Sequence, residues 1–93
     1  MKIEFDPAKS EKNVRERGLS FLKAADFDFV TAVRVEDKRR DYKETRIVAY
    51  GFIGVRLYVL CFKPIRGGVR IISLRKANKR EIKKYEEATK TTH

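Results

Sequence analysis

The chain has 93 residues, 42% of them hydrophobic and 39% charged, and a formal net charge of +10 at pH 7. This length favours a single domain over residues 1–93, and the charge indicates a polyanionic partner such as RNA, DNA or an acidic protein. The single cysteine, Cys61, and the single histidine, His93 at the last position, argue against a His/Cys metal site and a histidine-based mechanism.

The first predicted elements are a short strand over residues 2–5 and a helix. Asp6 followed by Pro7 is typical of a helix N-terminus, and Gly18 suits the left-handed position after a helix. No stretch has the apolar run of a signal peptide or a membrane span, and the basic residues do not face a clean apolar helical side. We therefore expect a cytoplasmic protein with no membrane partner.

A second helix, capped by Ser20, is predicted from Phe21 to about Phe29, with an apolar side that would pack against a sheet. Residues 37–45 are highly charged and predict an exposed loop. Four strand patterns are predicted: residues 31–36, 46–53, 55–63 and 69–75. Because these strands follow one another closely, a mostly antiparallel meander is the simplest arrangement.

The C-terminal element is predicted as a helix from Asn78 to about Ala88, and Glu81 three residues after Asn78 completes a capping box. Residues 89–93 are predicted to be a frayed tail. The fold class is therefore α+β, in the order β-α-α-β-β-β-β-α, with two N-terminal helices, a sheet of four to five strands and a C-terminal helix.

Polar residues interrupt strands that otherwise have the composition of a core: Arg46, Arg70, Ser73 and Arg75. Pairing Lys63 with Val69 would place Arg70 on the sheet face opposite to the other three. A half-buried arginine needs a partner. Helix carboxylates are one set of candidates: Asp6, Glu16, Asp26 and Asp28. The alternative is a phosphate-binding surface, since guanidinium groups bind phosphate oxygens in pairs.

The segment from Arg70 to Tyr85 contains seven Lys or Arg residues and one acid, and its sequence resembles the C-terminal signature of the BrnT family of bacterial type II toxins. Further similarities to this family lie upstream: Phe5-Asp6, Lys9, Asn13, Gly18-Leu19-Ser20-Phe21, Arg46 and Gly51-Phe52-Ile53. The chain departs from the family pattern at Phe5, often Trp, at Glu16-Arg17, often Lys-His, and at Leu74, often Ala.

The resemblance implies a compact RelE-like ribonuclease toxin that cleaves RNA, inhibits translation and needs no cofactor. It further implies a BrnA-like antitoxin that neutralises the toxin as a 2:2 complex and carries the DNA binding. Whether a ribosome is required is left open.

Cleavage by attack of the RNA 2′-hydroxyl needs cations for the phosphoryl oxygens and groups that move protons. The predicted catalytic residues are Arg70 and Arg75 as phosphate clamps, Arg46 as a third, Ser73 as a donor and Tyr85 as general acid. Four more cations are predicted to bind RNA: Lys76, Lys79, Arg80 and Lys83. Tyr85 has a second interpretation, as part of the apolar stripe of the last helix with Ile82, and Ser73 has one as a satisfied core hydroxyl.

Two other classes of protein fit the same charge. One is a nucleic-acid-binding module without catalysis, although the sequence has no helix-turn-helix or RRM signature. The other is a protein-interaction domain whose basic face only docks an acidic partner.

Overall fold

The computed structural model describes residues 1–90, which form one five-stranded sheet with helices at both ends of the chain. The elements in chain order are β1 (Lys2–Glu4), α1 (Pro7–Arg17), a 3₁₀ helix (Phe21–Asp26), β2 (Val33–Glu36), β3 (Ile47–Ile53), β4 (Arg56–Ile65), β5 (Gly68–Lys76) and α2 (Lys79–Thr89). The predicted α+β class is confirmed. Thr89 still belongs to α2, and residues 91–93 of the predicted tail lie outside the described residues.

The predicted ends of both α-helices are confirmed. The Asp6 carboxylate accepts a hydrogen bond from the Ala8 N–H at 2.9 Å, and Gly18 takes a left-handed conformation with φ of 68°. At α2 the capping box is complete, because Asn78 and Glu81 each accept the backbone N–H of the other. None of the helices within residues 1–90 is long and apolar enough to cross a membrane.

The second predicted helix is wrong in type and length. It is a 3₁₀ helix of 6 residues that ends at Asp26, and Phe27 then forms a β-bridge with Ile53. The chain leaves the helix because the next two aromatic rings pack against the sheet, where Phe29 meets Phe62 at a centroid distance of 5.9 Å.

The sheet has the strand order β1-β5-β4-β3-β2, and every neighbouring pair is antiparallel except β1 with β5. The predicted meander is confirmed, as is the hairpin at Gly54 that pairs Ile53 with Arg56. The parallel contact of β1 beside β5 brings the N-terminus to the strand that carries three of the four polar interruptions.

The predicted pairing of Lys63 with Val69 is wrong by one residue, since Lys63 pairs with Arg70. The register shifts between Cys61 and Phe62, which leaves Ile72 as an extra residue in β5. Such a bulge reverses the alternation of side chains beyond it. Arg70 therefore lies on the same face as Ser73, and not on the opposite face as predicted.

The two faces of the sheet are covered unequally. The first face is packed under α1 and the 3₁₀ helix. The largest fully buried side chains of this core are Phe21 from the 3₁₀ helix and Leu60, Ile71 and Leu74 from the sheet. The second face is packed under α2, where Tyr85 and Ile82 lie on Leu57, Val59 and their neighbours. Further along the same face Ser73 is exposed and Cys61 is half-buried. Among the described elements, α2 therefore covers only one end of this face.

Candidate functional site

The uncovered end of the second face forms a groove of about 550 Å³, here called the open-face groove. Its floor includes the cross-strand row Val35, Val48, Cys61 and Ser73, whose members are paired in register from β2 to β5. Three strand spacings make this floor about 14 Å wide. Its polar walls are formed by Asp37, Arg39, Tyr42, Arg46, Arg75 and Glu81.

Arg75 stands at the β5 side of the groove and is held by Glu81 at the start of α2. Both Glu81 carboxylate oxygens accept from the two terminal nitrogens of Arg75 at 2.8 Å. This hydrogen-bonded contact lowers the pKa of Glu81 and raises that of Arg75. The Nε–H of Arg75 has no hydrogen-bond partner among residues 1–90, so a side edge of its guanidinium stays free to bind an anion.

Arg46 lies just before β3, with its guanidinium 4.0 Å from the centre of the Tyr42 ring. Its nearest carboxylate is Glu44, at 3.4 Å, and Glu44 also pairs with Lys63 at 3.1 Å. The Nε of Arg46 is buried and lacks a hydrogen-bond partner within the described part of the chain. Arg46 therefore retains unsatisfied donor capacity at the edge of the groove.

Arg70 lies in a small pocket of about 120 Å³ that adjoins the open-face groove at Arg46 and Ile72. It pairs in register with Lys63, and its guanidinium is 3.4 Å from a carboxylate oxygen of Glu4. Arg75 pairs with Val59 in β4, and Lys63 follows Val59 by four residues in that strand. At the usual rise this places Lys63 about 14 Å from the row of Arg75 along the sheet.

The strand arginines do have carboxylate partners, but none of the helix acids anticipated from the sequence supplies one. The partners are Glu44, Glu4 and Glu81, all close in sequence or in the neighbouring strand.

Ser73 is exposed on the floor of the groove beside Cys61, its partner in β4. The interpretation of Ser73 as a satisfied core hydroxyl therefore does not hold. Burial raises the pKa of the Cys61 thiol, which favours the neutral form and makes this cysteine a poor nucleophile.

Tyr85 is not part of the open-face groove. Its hydroxyl donates to the Thr31 carbonyl at 3.0 Å, and its ring packs edge-on against Phe52 at 5.4 Å. The predicted apolar stripe with Ile82 is confirmed. Tyr85 instead lines a second groove of about 460 Å³, which it shares with Arg80.

The remaining predicted RNA-binding cations are exposed at the end of β5 and on α2: Lys76, Lys79, Arg80 and Lys83. The structure thus brings Arg46, Ser73 and Arg75 into one groove and places Arg70 at its end. The cations at the end of β5 and on α2 do not line this groove.

Sequence reasoning missed the wall formed by residues 37–46. Residues 37–45 lack strand or helix and are largely exposed, as predicted, and Arg46 lies just before β3 and not within it. Asp37 is nevertheless buried and binds Arg39 and Tyr42. The only sequence signal for the contact between Asp37 and Arg39 is that the two residues are two positions apart and of opposite charge. Tyr50, which lines both grooves, was treated as an ordinary strand residue.

The fold and groove define a small basic α+β protein with an arginine-lined groove on one face of its sheet. The family described as ribonuclease toxin, BrnT, of type II toxin-antitoxin system has a model that matches residues 5–81, and the chain belongs to this family. The predicted resemblance is confirmed, and RNA as substrate class and an antitoxin as partner follow from membership. A comparison with curated proteins gives no match.

Proposed function

We propose that the protein cleaves RNA in the open-face groove by attack of the 2′-hydroxyl on the adjacent phosphate, without a metal ion. The observation that carries this proposal is the convergence of Arg46, Ser73 and Arg75 on an uncovered sheet face, with Arg70 at its end. Guanidinium groups there can take the role that a metal ion has in other nucleases, which is to stabilise charge on the phosphoryl oxygens.

In this reaction the 2′-oxygen forms a bond to phosphorus while the bond from phosphorus to the 5′-oxygen breaks. The 2′-hydroxyl loses its proton to a base, and the leaving 5′-oxygen gains a proton from an acid. The products are a 2′,3′-cyclic phosphate and a 5′-hydroxyl. One well-placed donor to the developing charge typically supplies about 2.7–4 kcal/mol, which is the contribution expected of an arginine that contacts the scissile phosphate.

The free side edge of Arg75 supports a role in gripping the scissile phosphate, with Ser73 as a further donor on the floor. Arg70 and Lys63 would hold the backbone at the other end of the groove. The helix and strand-end cations Lys76, Lys79, Arg80 and Lys83 would extend this path beyond the groove.

The acid that protonates the leaving oxygen is predicted to be Tyr85, and Tyr50 is a second candidate. Tyr50 lines the groove, whereas the Tyr85 hydroxyl already donates to a backbone carbonyl. Comparing Tyr50→Phe with Tyr85→Phe separates the two, since each removes only a hydroxyl. The variant that loses single-turnover cleavage while keeping RNA affinity identifies the acid.

A BrnA-like antitoxin would neutralise the toxin by placing an acidic segment in the same groove, in a 2:2 complex that binds DNA only through the antitoxin. Charge complementarity supports this arrangement, because the toxin carries a net charge of +10. We expect this pair to act in the cytoplasm.

The deciding experiment incubates purified, antitoxin-free protein with RNA in EDTA, both as naked RNA and in a translating extract. Cleavage in EDTA that leaves cyclic phosphate ends, and that fails on RNA with 2′-O-methyl groups, supports the mechanism. Cleavage only after addition of a divalent metal contradicts it. RNA that stays intact in both settings would favour the binding or interaction module considered above.

A further inference from the structure

We propose that Arg39 is an additional RNA-phosphate contact, held by Asp37 on the wall of the open-face groove opposite to Arg75. The proposal rests on the proposed RNA-binding role of this groove. It adds a ligand contact in residues 37–46, here called the loop wall, to those on β5.

The Asp37 side chain is only 2% exposed, and its carboxylate accepts hydrogen bonds from other residues of the loop wall. It accepts hydrogen bonds from the Arg39 backbone N–H at 3.1 Å, Nε at 2.9 Å and Nη2 at 2.8 Å, and from the Tyr42 hydroxyl at 3.1 Å. These donors, the Arg39 guanidinium first among them, hold the pKa of Asp37 well below its usual range. The carboxylate is therefore ionised at any ordinary pH.

This clamp fixes an arginine that is 79% exposed. An exposed arginine normally samples many rotamers, and ordering it on binding costs affinity. Here Asp37 holds the Nε and Nη2 edge, and the Nη1 nitrogen has no hydrogen-bond partner among residues 1–90. Arg39 thus presents free N–H donors from a preorganised position in the groove.

Closing the loop does not explain the clamp. The backbone N–H of Asp37 already donates to the Arg46 carbonyl at 2.8 Å, which joins the two ends of the loop wall. One of the Asp37 hydrogen bonds, from the Arg39 backbone N–H, fixes the local turn, and the two from the guanidinium orient the Arg39 side chain.

The topology places this arginine across the groove from β5. Residues 37–46 connect β2 to β3, and β2 is separated from β5 by β3 and β4. Arg39 and Arg75 therefore line the same groove from opposite walls. A single strand of RNA lying on the floor could be contacted at its phosphates from both sides, which suits the planar donor geometry of arginine.

The test compares Arg39→Ala with Arg40→Ala. Both variants remove one exposed positive charge from the same loop, but Arg40 does not line the groove. The probe is a fluorescent single-stranded RNA that is 2′-O-methylated throughout and so resists 2′-hydroxyl attack. Binding is measured by anisotropy at several salt concentrations, and circular dichroism checks that each variant is folded.

We expect Arg39→Ala to weaken binding about tenfold and to reduce the slope of log affinity against log salt by about 0.7, the value for one phosphate contact on single-stranded nucleic acid. Arg40→Ala should change affinity less than twofold. Asp37→Asn should weaken binding in the wild type but not in the Arg39→Ala background, since its effect acts through Arg39.

Equal binding by Arg39→Ala and Arg40→Ala would overturn the proposal. If the wild type still cleaves unmodified RNA in that case, the proposed ribonuclease function stands and only the Arg39 contact fails. A wild type that neither cleaves RNA nor binds the methylated probe at low salt would overturn both.

Discussion

Replacing Arg75 by Ala tests the site most directly, because Arg75 has both a structural partner and a proposed catalytic role. We expect the variant to fold and to lose most of its cleavage activity. The two effects have different sizes, and each can be worked from the contacts of this side chain.

The structural cost is small. Removing Arg75 breaks two hydrogen bonds to Glu81, but Glu81 keeps the Asn78 N–H of the capping box at 2.9 Å. The Arg75 side chain is 35% exposed, so solvent screening reduces the value of the pair to about 1 kcal/mol. A domain of this size is typically stable by about 5–15 kcal/mol and tolerates that loss.

The catalytic cost is larger. Losing one donor to the charge that develops on the phosphoryl oxygens lowers kcat by about 10²–10³-fold. The assay is single-turnover cleavage with enzyme in excess over RNA, and urea denaturation measures stability in parallel. Arg66→Ala is the matched control, since Arg66 is an exposed arginine in the β4–β5 turn outside the groove.

A second variant separates phosphate binding from simple charge pairing with Glu81. If Arg75 serves only to neutralise Glu81, then Arg75→Ala combined with Glu81→Gln should recover cleavage. If Arg75 contacts the phosphate, the double variant stays inactive while its stability returns toward that of the wild type. Recovery of cleavage, or equal rates for Arg75→Ala and Arg66→Ala, would refute the catalytic assignment.

Three further predictions concern the framework of the site. Asn13→Ala should lower the free energy of unfolding by about 2 kcal/mol in urea denaturation, since the Asn13 amide donates to the buried carbonyls of Leu19 and Leu74 at 2.9 Å. An unchanged urea midpoint would show that water can replace the Asn13 amide as donor to these carbonyls. Gly68→Ala should destabilise the fold by about 1–3 kcal/mol and release β1, because a Cβ there would overlap the Lys2 carbonyl; hydrogen exchange at residues 2–4 should become fast. Asp37 has a lowered pKa in the folded protein, so its contribution to stability is complete above its unfolded pKa near 3.9 and is lost as the pH falls below it. The urea midpoint of Asp37→Asn should therefore depend less on pH between about 2 and 5 than that of the wild type, and parallel curves would contradict the assignment.

The parts of the fold that sequence reasoning found are those fixed by local chemistry. Asp6, Gly18, Asn78 and Glu81 mark helix ends by hydrogen bonds within a few residues, and all four behave as predicted. The hairpin at Gly54 is local in the same sense, because that turn alone sets the pairing of Ile53 with Arg56.

The parts that it missed depend on contacts between distant segments. The bulge at Ile72 cannot be read from alternation, yet it decides that Arg70 shares a face with Ser73. The helix after Ser20 ends early because Phe27 and Phe29 find partners in the sheet. Residue type was enough to select Arg46 and Arg75, which both line the open-face groove. The burial of Asp37 depends on how the loop wall folds back on the sheet.

The position of the groove follows from the size of the chain. Both sheet faces are largely apolar, but α2 has only 11 residues and covers the second face around Leu57 and Val59. The remainder of that face has to tolerate water, and this explains why arginines and Ser73 interrupt the strands there. Each arginine in turn acquires a nearby carboxylate that keeps the unliganded groove from accumulating repulsive charge. Under the proposed function, a phosphate backbone entering this groove would meet guanidinium groups already held in place, and the cost of orienting them would have been met during folding.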